Sequence, residues 1–297
     1  MVIVTGGSGF LGSHLVSQLG DRKIFVPRSN KYDLRYEADA KRMFSDAGKV
    51  DIVFHLAATV GGIGANRLHP GKFFYDNMLM SINIIHQASI ANVKKLVFVG
   101  TTCSYPKFVH IPFNEFSLFD GFPEETNAPY GIAKRAALVM LQAYRAEYGL
   151  NFNYIIPTNL YGPGDNFDDG SSHVIPALIK KCLRAKAQGD KSIVVWGTGT
   201  ASRDFVYVED AAKALILAME RYERSEPLNL GSGDEVKIST LIYLIKKATG
   251  YNGAIEYDTS KPDGQPRRCL NTRETKKAID WTATTDLKEG LQKTVGS

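Results

Sequence analysis

The stretch NAPYGIAKRAALVMLQAY carries a tyrosine and a lysine four residues apart, Tyr130 and Lys134. Asn127 can cap a helix and Pro129 suits its first turn, so the pair shares one helix face. A free phenol has a pKa near 10 and is a weak acid–base group at neutral pH. A neighbouring ammonium favours the phenolate and brings the group into useful range. Upstream, Val97–Pro106 reads VFVGTTCSYP, a buried strand that opens onto hydroxyls and a thiol. Thr101 or Thr102 can hydrogen-bond a substrate carbonyl beside Tyr130. Cys103 is open to three readings from its neighbours alone: packing, a redox thiol, or an acid–base group with a pKa near 8.5.

The elements that must position these groups begin at the first residue. VIVTGGSGFLGSHLVSQL runs from a short β-branched strand, Val2–Thr5, into glycines and then into a helical pattern. Gly6, Gly9 and Gly12 let the backbone turn tightly and approach a pyrophosphate, which the free N–H groups of a helix N-terminus would bind. A second strand, Lys23–Val26, ends in Pro27, Arg28 and Ser29. An acidic residue near that point would hold the ribose hydroxyls of NAD. Arg28 stands there instead and predicts a 2′-phosphate, hence NADP. Tyr32, Asp33 and Leu34 follow, then a helix over 38–47 and a strand over 52–56. Ala57 and Ala58 end that strand with side chains small enough for a cofactor to lie across it. A helix around 82–90 precedes the strand 96–99. The alternation predicts an α/β fold, a Rossmann-type doubly wound parallel sheet covered on both faces. Ligands then lie beyond the carboxyl ends of the strands, which puts Cys103 at the site.

After residue 166 the alternation weakens. A helix over 178–187, strands over 192–195 and 205–207, and an alanine-rich helix ending about Arg221 are expected. The segments 228–230, 238–248 and 254–257 are expected to form most of a smaller α/β C-terminal substrate lobe. Residues 1–166 and about 204–228 would form the nucleotide domain, and about 167–203 and 229–297 the lobe, the two interleaved.

The chain has 297 residues, ample for a buried core, and 44% hydrophobic content suits a globular protein. A net charge of +5, with basic pairs scattered along the chain, suits an enzyme handling small anions and argues against nucleic-acid binding. No apolar run approaches the roughly 18 residues of a membrane helix, so no membrane association is expected. With a first strand expected at Val2, no signal peptide is expected. Three cysteines without CxxC spacing suit a reducing compartment, so a cytoplasmic location is expected. No metal-ligand cluster is evident, and no metal is expected.

TGGSGFLG, HLAA, Tyr130-xxx-Lys134 and PTNLYGPGDNF together resemble the extended short-chain dehydrogenase/reductases along essentially the whole chain. HLAATVGGIGAN, GTTCSYPK, SSHVIPALIKK, VVWGTGTASRDFVYVEDAA and DTSKPDGQPRR are similar to one branch, the GDP-L-fucose synthases. That resemblance implies NADPH-dependent conversion of GDP-4-keto-6-deoxy-D-mannose to GDP-L-fucose, by epimerisation at C3 and C5 and reduction at C4. Tyr130 would be the proton donor, assisted by Lys134, with Cys103 and His173 as the epimerisation pair. His173 is otherwise a loop residue capping the helix that starts near Val174. Thr101 stands where the branch has serine, so the hydroxyl is kept and a methyl added. The cofactor would lie along Gly6, Gly9, Phe10, Leu11, Arg28, Asp33, Leu34, Ala57, Ala58, Tyr130, Lys134, Pro157, Asn159, Leu160 and His173. Lys181, Trp196, Arg203 and Lys261 would line the sugar-nucleotide pocket; Arg267 and Arg268 are adjacent, and neighbours rarely face one pocket together. A homodimer through the helices around 77–92 and 129–148 is implied as well. The same fold and acid–base residues also suit a related ketosugar enzyme such as a GDP-L-colitose synthase. A dehydratase would carry a carboxylate pair after the strand-end hydroxyl, where this chain has Thr102 and Cys103. A non-catalytic NADP sensor would lack the tyrosine or the lysine. A thiol redox protein would need a resolving cysteine near Cys103.

Overall fold

The computed structural model describes residues 1–169, 172–261 and 263–296. Ser171 of the SSHVIPALIKK stretch and Pro262 of DTSKPDGQPRR lie outside the described residues. The chain opens with β1 (Val2–Thr5), α1 (Phe10–Gln18), β2 (Ile24–Phe25), α2 (Glu37–Ala47) and β3 (Ile52–His55). It continues through α3 (Ile63–Leu68), α4 (Pro70–Ile90), β4 (Lys95–Val99), α5 (Ala128–Tyr148), β5 (Phe152–Pro157) and β6 (Asn159–Tyr161). Then come α6 (Val174–Gln188), β7 (Ser192–Trp196), β8 (Ser202–Arg203), β9 (Phe205–Tyr207), α7 (Val208–Arg221) and β10 (Leu228–Leu230). The last elements are β11 (Val236–Lys237), α8 (Ile238–Thr249), β12 (Ala254–Asp258), β13 (Arg267–Arg268), α9 (Arg273–Ile279) and α10 (Leu287–Val295).

Six strands form one parallel sheet in the order β10-β5-β4-β3-β1-β2. Successive strand residues point to opposite faces, so each face has its own core. Ile3, Val53, Leu96 and Phe98 pack beneath α2, α4 and α5, while Val2, Val4, Phe54 and Val97 pack beneath α1 and α7. This is the doubly wound Rossmann arrangement that strand–helix alternation predicts. Strand order reverses between β1 and β3, and the crevice at that reversal is where such sheets take ligands.

A third core joins α6, β7, α8 and α10 through Leu178, Ile179, Ile193, Val195, Leu241, Ile245 and Leu291. The strand 228–230, expected in the smaller lobe, instead pairs with β5 at the edge of the main sheet. Its residues Leu228 and Leu230 alternate inward against α7, and only Asn229 faces the other layer. The helix expected around 82–90 is the end of a much longer one, because Pro70 starts α4 at its first turn.

One close contact positions the rest. A Cβ at Gly131, on α5, would collide with the carbonyl oxygen of Cys103. The Ser104 hydroxyl donates to the Gly131 carbonyl at 2.9 Å, tying the same two segments. Gly131→Ala is therefore expected to lower stability by roughly 1–3 kcal/mol. Urea unfolding checks this, and an unchanged midpoint contradicts the contact.

Candidate active site

A cleft of about 1460 Å³ opens beyond the carboxyl ends of β1, β3, β4 and β5. Gly6, Gly9, Phe10 and Leu11 line one end, beside Ala57 and Ala58. Gly9 begins α1 with no side-chain cap, so the first-turn amides keep their donors and the helix its positive end. Gly6 has φ +71, and a Cβ there would meet the Ala57 amide at 2.8 Å. Glycine is required both for that turn and for that approach. A pyrophosphate fits this donor set. Asp33, Leu34, Pro157, Asn159 and Leu160 also line the cleft.

Arg28 does not. Its side chain is exposed and outside the lining, which passes through Pro27, Ser29 and Asn30. The backbone turns at Arg28, whose carbonyl accepts from the amides of Lys31 and Tyr32, and this directs the side chain to solvent. At this end of the cleft the arginine in the lining is Arg35. Its guanidinium binds Asp33 at 2.6 Å and Asp76 at 3.4 Å, and Lys72 completes the cluster on Asp76 at 2.6 Å. Burial raises the pKa of Asp76, but hydrogen bonds from Lys72, Thr59 and Arg35 outweigh it and hold the carboxyl below its usual value.

Thr101, Cys103, Tyr130, Lys134 and His173 all line the same cleft. Thr101 ends the extended β4 segment, and its hydroxyl accepts from the Cys103 amide at 3.1 Å, fixing a single 3₁₀ turn over Thr102–Ser104. Tyr130 is half-buried beside Thr101 and Cys103. Desolvation raises its pKa well above the ordinary phenol, more than the Thr101 hydrogen bond lowers it. The expected depression by Lys134 is thus not what this geometry gives. The Lys134 ammonium donates to the Val99 carbonyl at 3.0 Å and lies 4.7 Å from the Phe98 ring centre, directed at β4. Burial alone brings its pKa to about 7.

His173 stands at the start of α6 without a side-chain cap bond, so its position is that of a cap but its ring is not used as one. The ring is exposed within the open cleft, and partial desolvation sets its pKa below the usual histidine value. Lys181, Trp196 and Arg203 line the far end, whereas Lys261 does not. Lys261 instead places its ammonium 5.6 Å from the Trp196 ring centre. Arg203 is largely buried, and desolvation followed by the nearby Arg268 lowers its pKa to about 10. Arg268 lines the cleft, while Arg267 binds Glu235 at 2.5 Å. Alternation along β13 separates the two. Arg35, Asp76 and Arg184 are lining residues that motif reading missed; of the adjacent pair, Arg268 lines the cleft and Arg267 does not.

The Lys134 shift has a definite sign. Between pH 7 and 10.5 the unfolded chain binds more protons at this residue than the folded one, so it makes stability rise with pH. The stability of wild type relative to Lys134→Met should increase from pH 7 to 9.5 by up to about 1.4 kcal/mol per pH unit. Urea unfolding at several pH values measures it, and a flat difference contradicts a buried lysine.

Residues 2–231 match the model of the NAD dependent epimerase/dehydratase family. The GDP-L-fucose synthase of Sinorhizobium fredii is 41% identical over 99% of this chain and 94% of that protein. A GDP-L-fucose synthetase of Naegleria fowleri, solved bound to NADP, superposes with a TM-score of 0.90 at 30% identity, covering 99% of this chain and 92% of that one. A GDP-6-OMe-4-keto-L-xylo-heptose reductase from Campylobacter jejuni superposes at 0.93 with 28% identity, covering 99% and 96%. With its uncapped glycine turn, its Tyr130–Lys134 helix and this similarity along nearly its whole length, the chain belongs to the NAD dependent epimerase/dehydratase family.

Proposed function

We propose that this protein uses NADPH to convert GDP-4-keto-6-deoxy-D-mannose to GDP-L-fucose, inverting C3 and C5 and then reducing the C4 ketone. One observation carries the reading. Thr101, Cys103 and Tyr130 meet at the end of β4, in a cleft that also holds His173 and the uncapped α1 N-terminus. The sugar-nucleotide enzymes it is similar to support the substrate class, and the Naegleria relative bound to NADP supports the cofactor.

NADPH would supply a hydride to C4. Gly6, Gly9, Phe10 and Leu11 would hold its pyrophosphate, with Ala57 and Ala58 beneath it and Asp33, Leu34, Pro157, Asn159 and Leu160 along its length. The Thr101 and Tyr130 hydroxyls hold the ketone oxygen. That contact stabilises negative charge on the oxygen when a neighbouring carbon loses its proton. Cys103 and His173 then remove and return protons at the two carbons flanking the ketone, and inversion requires one group on each face. A histidine held below its usual pKa is neutral at pH 7 and so available as a base. A phenol held above its usual pKa keeps its proton until the C4 oxygen takes it, which suits the final acid step. Lys181, Arg203 and Arg268 provide positive charge for the diphosphate.

The two parts are interleaved in this reading. Residues 1–166 and about 204–230 serve the cofactor, and most of 167–203 and 231–297 the sugar nucleotide. α4 and α5 would pair two copies, a role suited to the exposed Phe74, Ile82 and Val139 on these helices. Work in the cytoplasm fits a reduced cofactor and free thiols.

The similarity to a protein named only as a reductase favours a second reading, reduction without epimerisation. Two variants separate them. Cys103→Ser should slow solvent-deuterium exchange into the ketosugar by at least about a hundredfold while leaving NADPH affinity unchanged. Tyr130→Phe should slow NADPH oxidation by about a hundred- to ten-thousandfold. Normal exchange in Cys103→Ser would leave a simple reductase.

A further inference from the structure

Most cations along the cleft are already engaged by the protein. Arg35 is bound to Asp33 and Asp76, Lys72 to Asp76, and Lys134 to the Val99 carbonyl. Lys180 pairs with Asp169 at 2.8 Å, and Lys181 donates to the Val194 carbonyl at 2.9 Å while lying 5.9 Å from the Trp196 ring centre. Arg203 donates to the Ser202 and Asp263 carbonyls, and Arg268 to Gln265. Arg184 differs. It lines the cleft, it is exposed, and among the described residues it makes no side-chain hydrogen bond, ion pair or ring contact.

Its place on α6 says what it faces. Val174, Ala177, Lys181 and Arg184 all line the cleft at helical spacing, so one stripe of α6 forms that wall. His173, assigned above to acid–base work, lies at the start of the stripe. The helix rises about 12 Å from His173 to Lys181 and about 4.5 Å more to Arg184. A sugar at His173 puts the diphosphate toward Lys181 and the base one turn further, at Arg184.

We propose that Arg184 reads the guanine edge of the substrate. This rests on the GDP-sugar reading above and adds a specificity determinant to it. Guanine presents two neighbouring acceptors, O6 and N7, which match the parallel donors of a guanidinium. Adenine presents N7 beside an amino group, a donor that the same fork cannot accept from. A lysine keeps the charge but loses the fork.

Titration calorimetry of GDP and ADP on the full-length protein tests this, with wild type, Arg184→Gln and Arg184→Lys. Because the side chain is exposed, all three should melt alike. Arg184→Gln should weaken GDP at least about fivefold more than ADP, and Arg184→Lys should not restore the preference. Equal losses for both nucleotides, restored by lysine, would place the charge on the diphosphate and overturn the assignment, as would no loss at all. Wild-type turnover of the GDP-ketosugar is measured in parallel. Its absence overturns the GDP-sugar reading itself, whereas turnover with an unchanged GDP/ADP ratio in Arg184→Gln overturns only the role of Arg184.

Discussion

Everything chemical in this cleft depends on how closely α5 approaches the turn after β4. The backbone of Gly131 lies against the carbonyl of Cys103, with no space for a Cβ. Arg135, one turn along, donates from Nε to the Ser104 carbonyl at 3.1 Å, and the Tyr154 hydroxyl donates to the Lys134 carbonyl at 2.9 Å. These bonds fix α5 against the turn after β4 and against β5, within the five residues that follow the tyrosine. Tyr130 is the residue next to Gly131, so its phenol is brought against Thr101 and Cys103 by backbone packing. A side chain held this way needs little reorganisation during reaction, which is what catalysis by positioning demands.

Burial then sets the protonation states. Lys134 is nearly inaccessible at 2% and has one carbonyl partner, so the penalty on its charged form is not offset by a carboxylate. Tyr130 is pushed toward its neutral form by the same cause, and partial desolvation at the cleft wall does the same to His173. Burial thus weakens positive charge at the catalytic end, while the far end of the cleft is lined by Lys181, Arg203 and Arg268 and, one turn further, Arg184. A substrate with its charge at one end and its ketone at the other has one favourable orientation in such a field.

Much of this was legible in the sequence because the decisive features are local. A strand, a glycine turn and a helix in TGGSGFLG need no distant partner to be recognised, and Tyr130 and Lys134 lie one helical turn apart. What was not legible depends on tertiary packing. Arg28 follows a strand of only two residues, and the direction its side chain takes is decided by the turn that its own carbonyl closes. Lys134 was expected to face Tyr130, but the Val99 carbonyl and the Phe98 ring, supplied by another strand, engage it first. Strand 228–230 carries no signal of its partner; only its pairing with β5 places it in the main sheet. α3 is built largely from a glycine-rich segment, GGIGAN, whose composition reads as loop, and the first half of α4 follows directly.

The central claim is that one cleft both exchanges the protons flanking a ketone and reduces that ketone. The direct measurement is wild-type turnover of GDP-4-keto-6-deoxy-D-mannose with NADPH in deuterated water, with mass analysis of the product. NADPH oxidation with two solvent deuterons retained, at C3 and C5, is the predicted result. Oxidation giving a product without deuterium contradicts it, since Cys103 and His173 would then line the cleft without moving a proton.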